Sequence, residues 1–303
     1  MADRSVRFRI WFLSSVVTRL IKAPPIALTD RQVEPPESVW VKTRHGDVRC
    51  FITRPAIGAP LSSEGAAPVY VNFHGGAFLI GAPAQDDHLL RGVAGEVGAH
   101  VVNVDFTTAP KSQFPQAHEE CLDVLDWVAH AGDEQGWDST RIAIGGGSSG
   151  AHIALGVMEL ARETKGPRVR AAVLTCPLVD VTARGTDLVS RKAKPMVSDA
   201  LMDTVRAGYF PVEATQATVL GSPLNGDREQ FQHLPPLLVV AGELDALRPQ
   251  IEDYVTKARG FGVPVTFKVI EGVDHDFPLS KETPAAIEEL ARLTRDHLLA
   301  HLA

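Results

Sequence analysis

A serine flanked by glycines is the residue pattern in this sequence that points most directly to chemistry. Gly146, Ser148 and Gly150 form a G-x-S-x-G motif. An apolar run over residues 141–144 precedes the motif and a helical pattern follows it, as a strand–turn–helix nucleophile elbow requires. Small residues on both sides let the strand and the helix approach closely enough to force a sharp turn that exposes the hydroxyl. The pattern predicts that Ser148 is a nucleophile.

The same stretch also fits a different motif. Gly145, Gly147 and Gly150 match G-x-G-x-x-G, the phosphate-binding turn of dinucleotide-binding proteins. That motif requires an acidic residue about 20 positions later, near the end of the next strand. Residues 168–172 there read Arg-Val-Arg-Ala-Ala and contain no acid. The nucleophile is therefore the favoured interpretation.

A second glycine-rich loop follows the apolar run 69–73. It reads His74-Gly75-Gly76-Ala77-Phe78. Attack on an ester places negative charge on the carbonyl oxygen, and losing one backbone N–H that stabilises this charge costs about 3 to 4 kcal/mol. A loop of this type supplies such donors, together with the residue after the nucleophile, here Ser149. The sequence predicts an oxyanion hole here; the alternative is a plain tight turn in which His74 braces the loop.

The acid and the base follow in the chain order that this kind of site requires, which is Ser, then Asp or Glu, then His. Asp245 comes after the apolar run 237–240, and His275 comes after the run 265–270. Both positions lie just past the carboxyl ends of predicted strands, where α/β sites are built. Glu243 is a rival acid, and the acidic neighbours of His275 could contact the imidazole. Asp245 is preferred because it lies farther beyond its strand.

Short apolar runs that alternate with helical patterns must position these residues. Such alternation predicts an α/β protein with a mostly parallel sheet and helices on both faces. An antiparallel hairpin is expected at residues 39–52, around His45-Gly46-Asp47. The further strands are expected at residues 69–73, 100–104, 141–144, 171–174, 237–240 and 265–270. The helices are expected at residues 86–97, 116–131, 149–164, 248–261 and 284–302.

Two segments stand outside this alternation. Between residues 181 and 234 only weak helical patches occur, around residues 200–209, which is typical of a lid or pocket wall. We expect this insertion and residues 1–37 to form a helical cap on a single α/β domain spanning 1–303. The N-terminal segment has an apolar face and is predicted to be a docking helix; a membrane-surface helix and a signal peptide are the alternatives. Its apolar run is too short to span a bilayer. The apolar face consists of Val6, Ile10, Leu13, Val17, Leu20 and Ile21.

Composition narrows the function classes. The chain has 303 residues, 45% hydrophobic residues and a net charge of −7, without the basic stripe that nucleic-acid binding requires. Three widely spaced cysteines form no C-x-x-C pair, so neither a zinc site nor a disulfide framework is expected. No HExxH motif occurs, and we predict no metal and no cofactor. Reduced thiols favour a cytoplasmic protein.

These motifs together resemble the hormone-sensitive-lipase-like (bacterial family IV) esterases of the α/β-hydrolase superfamily, from about residue 39 to the C-terminus. The resemblance implies an eight-stranded sheet with its second strand antiparallel, a cap, and carboxylester hydrolysis without a cofactor. It assigns Ser148, Asp245 and His275 as nucleophile, acid and base, and Gly75, Gly76, Ala77 and Ser149 as oxyanion donors. The motifs that carry it are His74-Gly75-Gly76-Ala77-Phe78, Asp105-Phe106-Thr107-Thr108-Ala109-Pro110, Gly146-Gly147-Ser148-Ser149-Gly150, Asp245-Ala246-Leu247-Arg248 and His275-Asp276-Phe277.

Several positions depart from the family pattern, but none of the departures removes a catalytic group. The family usually has Asp where this chain has Gly147, and Gly where it has Ala77 and Asp276. It usually has Arg at Thr107 and an acid at both Lys111 and Pro249.

The sequence thus predicts a serine carboxylesterase for short- to medium-chain acyl esters that acts through an acyl-enzyme. An amidase with the same triad and a non-catalytic small-molecule receptor are the alternatives. The predicted partner is a small ester; a homodimer, and membrane-surface association through the N-terminal helix, are left open. Candidate pocket residues are Trp11, Phe12, Phe78, Tyr209 and Phe210.

Overall fold

The computed structural model describes residues 3–62 and 65–303; residues 1–2, which belong to the predicted cap, and 63–64 lie outside the described residues. One eight-stranded sheet runs through the molecule in the order β1-β2-β4-β3-β5-β6-β7-β8. Its strands are β1 (Glu37–Thr43), β2 (Gly46–Thr53), β3 (Ala67–Phe73), β4 (His100–Asp105), β5 (Trp137–Gly147), β6 (Ala171–Thr175), β7 (Leu237–Gly242) and β8 (Val265–Ile270).

The sheet is parallel except around its second strand. β2 pairs antiparallel with both β1 and β4, and the pairings from β4 through β8 are parallel. In the parallel part, Val71 of β3 lies opposite Val102 on one side and Ile144 on the other. Every residue of β3, β6 and β7 is buried, because helices cover both faces of the sheet. The α/β-hydrolase fold predicted from the sequence is confirmed.

The long helices after the first lie within one residue of their predicted positions, whereas no bounds were predicted for the first, which lies in the N-terminal segment. They are α1 (Arg4–Trp11), α2 (Asp87–Glu96), α3 (Gln116–His130), α4 (Ser149–Thr164), α5 (Asp199–Gly208), α6 (Arg248–Gly260) and α7 (Pro284–Leu302). Short α-helical turns occur at Thr18–Leu20, Gly132–Gln135, Glu213–Gln216 and Arg228–Phe231. Single 3₁₀ turns occur at Pro60–Ser62, Pro83–Asp86, Gly185–Asp187, Pro223–Asn225 and Phe277–Leu279.

The N-terminal segment is helical but not uniformly α-helical. A π-helical stretch, Phe12–Val17, separates α1 from the turn Thr18–Leu20. A π-helix spaces its hydrogen bonds one residue further than an α-helix, so the predicted apolar face is rotated beyond it. Leu20 is consequently 70% exposed, whereas Ile10 and Leu13 pack against the core. Among the described residues, no helix has the length and apolarity needed to cross a membrane.

The insertion between β6 and β7 contacts the N-terminal helix. Arg9 of α1 donates a hydrogen bond from Nε to the hydroxyl of Thr204 in α5, at 2.8 Å. Arg206 of α5 donates to the carbonyl groups of Val181 and Ala183, at 2.9 and 3.0 Å, which ties the helix to the start of the insertion. That these two segments act together as a cap on a single domain stays a prediction.

Candidate active site

The turn between β5 and α4 places Ser148 at the carboxyl edge of the sheet. Its backbone is strained, with φ 55° and ψ −115°. Its N–H donates to the carbonyl of Thr175 at 2.8 Å, and its carbonyl accepts from the N–H of His152 at 3.0 Å. A Cβ added to either Gly146 or Gly150 would collide with the carbonyl of Phe73. The flanking glycines are therefore needed for the close approach of β3, β5 and α4 that forms this turn.

Three side chains that are distant in sequence meet at this turn. The hydroxyl of Ser148 lies 2.7 Å from Nε2 of His275, and Nδ1 of His275 lies 2.8 Å from Oδ2 of Asp245. The other oxygen of Asp245 accepts from the N–H of Leu247 at 2.9 Å. Asp245 is fully buried, so its carboxylate is held by hydrogen bonds rather than by water. This arrangement can move a proton from the hydroxyl to the imidazole.

The rival carboxylates are engaged elsewhere. Glu243 pairs with Arg191 and accepts from the N–H of Gly272 at 2.9 Å. Asp274 accepts from the backbone N–H of His275 at 2.7 Å, on the main chain and not on the imidazole. Of the three acids, Asp245 is the one whose carboxylate contacts the histidine ring.

The electrostatic environment favours a basic imidazole. Burial is the largest single influence on His275 and disfavours its charged form, whereas the charge of Asp245 and its hydrogen bond to the ring favour that form. Asp274 and Asp276 act in the same direction, and the pKa of His275 is raised above its ordinary value. The imidazole is therefore well suited to accept the serine proton and to hold it as an ion pair with Asp245.

The loop after β3 turns sharply beside Ser148. Gly76, Ala77 and Phe78 all have positive φ, at 127°, 55° and 59°. The carbonyl of Gly76 accepts from the N–H groups of Leu79 and Ile80, each at 2.9 Å. Peptide groups in such a tight turn present their N–H groups in one direction, which suits them to an oxyanion.

Two buried side chains brace this loop. His74 Nδ1 and Gln85 Nε2 both donate to the carbonyl of Gly75, at 2.7 and 2.9 Å. Burial lowers the pKa of His74 to about 4, so its ring is neutral, and it stacks on Phe106 with centroids 4.3 Å apart. A Cβ added to Gly75 would lie 3.0 Å from the carbonyl of Gly147, which shows how closely the loop packs on the elbow.

The five predicted pocket residues fall into two groups. Phe78, Tyr209 and Phe210 are buried together. The rings of Phe78 and Tyr209 are stacked, with their centroids 4.5 Å apart and an angle of 3° between their planes. Trp11 and Phe12 lie at the surface, 54% and 41% exposed. The role of these five residues in binding substrate stays a prediction.

The aromatic cluster also contains histidines that the sequence reasoning did not connect with it. His118 Nδ1 and the hydroxyl of Tyr209 share a hydrogen bond of 3.0 Å, and the ring of His152 meets Phe78 edge-on. Burial lowers the pKa of His152 to about 4, so this ring too is neutral. No motif in the sequence links these rings, which come from four separate segments.

A further group that the sequence did not reveal is a segment of the insertion, residues 190–196, which we call the strap. Ser190 donates to the carbonyl of Leu244 at 2.5 Å, next to Asp245 in the chain. Lys192 and the N–H of Met196 both donate to Asp274, at 2.8 and 2.9 Å, next to His275 in the chain. The strap thereby joins the two loops that carry Asp245 and His275.

One cluster in the site has the composition of a metal site. Ligand atoms of Cys176, Asp245 and His275 lie within 4.8 Å of one another. The carboxylate and the imidazole are already hydrogen-bonded to each other, and burial raises the pKa of the Cys176 thiol well above its ordinary value. A protonated thiol is a poor ligand, so the triad geometry explains this cluster.

Comparison with known proteins is consistent with this geometry. A family model described as alpha/beta hydrolase fold matches residues 70–279. The chain is 28% identical over 227 residues to the carboxylesterase NlhH of Mycobacterium tuberculosis, covering 74% of this chain and 71% of that protein. It is 29% identical over 216 residues to an ethyl acetate hydrolase of Pseudomonas putida, covering 70% of this chain and 66% of that protein.

A solved structure extends the likeness over the whole chain. The crystal structure of a thermostable esterase from Pseudomonas putida ECU1011 superposes with a TM-score of 0.84 at 26% identity. The superposition covers 100% of this chain and 93% of that one.

Proposed function

This chain belongs to the alpha/beta hydrolase fold family, in its hormone-sensitive-lipase-like branch, and we propose that it hydrolyses carboxylic esters with Ser148 as its nucleophile. Its likeness to named esterases makes it a carboxylic ester hydrolase. The proposal concerns which residues do this chemistry and on which esters. The observation that carries it is the continuous hydrogen-bonded path from Ser148 through His275 to Asp245.

The proposed reaction is a two-step acyl transfer. His275 removes the proton of Ser148 as the hydroxyl oxygen attacks the ester carbonyl, and Asp245 holds the imidazole in the required tautomer. The backbone N–H groups of the loop after β3, with that of Ser149, stabilise the oxyanion. The imidazolium then protonates the departing alcohol, and water repeats the cycle on the acyl-enzyme.

We propose short- to medium-chain acyl esters as the substrates. The ethyl acetate hydrolase among the relatives acts on a short ester. Phe78 is the residue after the proposed oxyanion donors. In this chain the rings of the aromatic cluster around it are buried and packed against one another. A long acyl chain would have to displace these rings, whereas a short one would not.

The test is hydrolysis of p-nitrophenyl esters from acetate to laurate by the wild type and by Ser148→Ala. We expect the highest kcat/KM at short to medium chain length and loss of turnover in Ser148→Ala. Ser139→Ala is the matched control, because Ser139 lies in the first half of the same strand, β5, far from the elbow. Equal loss in both variants, or none in Ser148→Ala, would show that Ser148 is not the nucleophile.

A second measurement addresses the intermediate and the bond cleaved. An organophosphonate ester should label Ser148, and peptide mass spectrometry should map the adduct there rather than on the adjacent Ser149. Parallel assays with p-nitroanilides separate an esterase from an amidase. Binding of an ester without turnover by the folded wild type would instead favour the receptor alternative.

A further inference from the structure

A cavity of about 370 Å³ lies beneath the nucleophile elbow, between the sheet, α2, α7 and residues 27–30. We call it the sub-elbow cavity. Ser148, Asp245 and His275 do not line it, but Gly147, directly before the nucleophile, does. Its volume lies in the range of small-molecule sites. The sheet side consists of Tyr70, Asn72, Gly146, Gly147, Val173 and Thr175.

Polar groups with unused hydrogen-bonding capacity face this cavity. Tyr70 is 4% exposed and Thr175 is 7% exposed, yet neither hydroxyl has a hydrogen-bond partner among residues 3–62 and 65–303. Buried hydroxyl groups normally have one. An ordered occupant of the cavity would supply it.

The cavity also contains a carboxyl group without a counter-ion. Oδ2 of Asp86 accepts from Asn72 at 3.1 Å, and in the described part of the chain nothing donates to its other oxygen. Burial raises the pKa of Asp86 to about 7, with the Asn72 hydrogen bond acting in the opposite direction. Asp86 is only partly exposed to solvent, and a largely desolvated carboxylate without a cationic partner is costly, so a bound cation would stabilise it.

The other charged groups around the cavity do not provide that cation. Arg292 and Arg295 of α7 pair with Asp296, and Arg31 pairs with Glu96 of α2. The remaining charged residues that line the cavity, Asp30 and Glu288, are acidic. The formal charge of the lining therefore favours a cationic ligand over an anionic one.

We propose that the sub-elbow cavity is a binding site for a small organic ammonium compound whose charged group lies on Asp86. An ammonium group has three donors, and the cavity offers the free oxygen of Asp86 with the hydroxyls of Tyr70 and Thr175 as acceptors. The hydrocarbon part of the ligand has Leu90 and Val93 of α2 to pack against.

The site is placed to influence the elbow. Thr175 lines the cavity, and its backbone carbonyl holds the N–H of Ser148 at 2.8 Å. An effect of the ligand on ester turnover rests on the proposed function; binding itself does not. The test therefore measures binding, with Ser148→Ala protein as one of the samples.

The probe is benzylammonium, titrated by calorimetry at pH 8 against benzyl alcohol of nearly the same shape. We expect saturable one-to-one binding of benzylammonium to the wild type and to Ser148→Ala, and at least tenfold weaker binding of the alcohol. Asp86→Asn keeps the shape and removes the charge, and should weaken benzylammonium binding at least tenfold. Asp133→Asn, a change at an exposed carboxylate, should bind as the wild type does.

Three results would overturn the proposal: no binding of benzylammonium, equal binding of the alcohol, or unchanged affinity in folded Asp86→Asn. Tyr70→Phe is the second variant, since it removes a hydroxyl that has no partner in the described part of the chain and leaves the ring packing intact. We expect it to weaken benzylammonium binding several-fold, and unchanged affinity there would contradict the placement of the ammonium group.

Discussion

The polar groups on the two sides of the nucleophile elbow differ in how fully they are hydrogen-bonded. On the side of Ser148, each group of the triad is hydrogen-bonded, and the strap ties the loops of acid and base together. In the sub-elbow cavity, and counting only the residues that the structure describes, the hydroxyls of Tyr70 and Thr175 are unpartnered and Asp86 has one hydrogen bond. Fixed hydrogen bonds give the geometry that proton transfer needs, whereas donors and acceptors without a partner can bind an occupant of the cavity.

The largest expected effect comes from Asp245, the proposed acid of the triad. Asp245→Asn keeps the shape of the side chain but removes the charge that holds the imidazole tautomer, so kcat should fall by about 10⁴-fold. The assay is p-nitrophenyl acetate hydrolysis at pH 8. Glu243→Gln is the matched control and should lose less than about tenfold, because Glu243 contacts Arg191 and Gly272 rather than His275. A larger loss in Glu243→Gln than in Asp245→Asn would reverse the assignment.

The next effect tests the packing that separates the two sides. In Gly150→Ala the new methyl group would collide with the carbonyl of Phe73 and lie 2.7 Å from that of His74. Because these are backbone atoms, the elbow must shift, and we expect a loss of about 3 kcal/mol in the free energy of unfolding. Denaturant unfolding measures it.

Gly260→Ala is the control for that substitution. Gly260 is the last residue of α6, and a Cβ there would meet no atom within 4 Å. Alanine should therefore be neutral or stabilise the protein by about 0.5 kcal/mol. Equal stability of the two variants would mean that the approach of β3 to α4 is not tightly constrained.

The elbow and the strands around it could be predicted from the sequence because their signals are local. Gly146, Ser148 and Gly150 lie between a strand and a helix, and that context fixes the turn. The loop positions of Asp245 and His275 follow from the chain order of one fold, since strand ends of a parallel sheet meet at one edge.

The strap and the sub-elbow cavity had no such signal. Lys192 and Asp274 are 82 residues apart and lie in loops without periodicity, so their contact depends on how two connections fold over each other. The cavity depends on a volume left between α2, α7 and the sheet, and composition does not report empty volume. The exposure of Leu20 depends on a π-helical stretch that a 3.6-residue period does not anticipate.

A smaller effect is expected from the carboxyl group of Asp86 beneath the elbow. The pKa of Asp86 is raised to about 7, so the stability it contributes is present below about pH 4 and is lost as the pH rises through 7. Asp86→Asn removes this loss and should raise the free energy of unfolding at pH 8 by about 1 to 2 kcal/mol, with little change at pH 4. Thermal unfolding at the two pH values measures it, with Asp133→Asn as the control. If Asp86→Asn were instead less stable than the wild type at pH 8, the carboxylate of Asp86 would be paired with a positively charged group in the folded protein.

The smallest effect concerns the strap. The direction in which the pH profile shifts tests whether the strap acts on His275 through its charges. The carboxylate of Asp274 helps to raise the pKa of His275, and Lys192 offsets that carboxylate by pairing with it at 2.8 Å. In the proposed mechanism His275 must be neutral to accept the serine proton, so kcat/KM should fall as the pH drops through this pKa. Asp274→Asn should move that acidic limb to lower pH, and Lys192→Met should move it to higher pH, each by about 0.5 unit. Asp245 and Asp276, the other carboxylates that raise this pKa, are unchanged in both variants. The measurement is a pH profile of p-nitrophenyl acetate hydrolysis; shifts in the same direction would mean that the strap acts on the position of His275 and not on its charge.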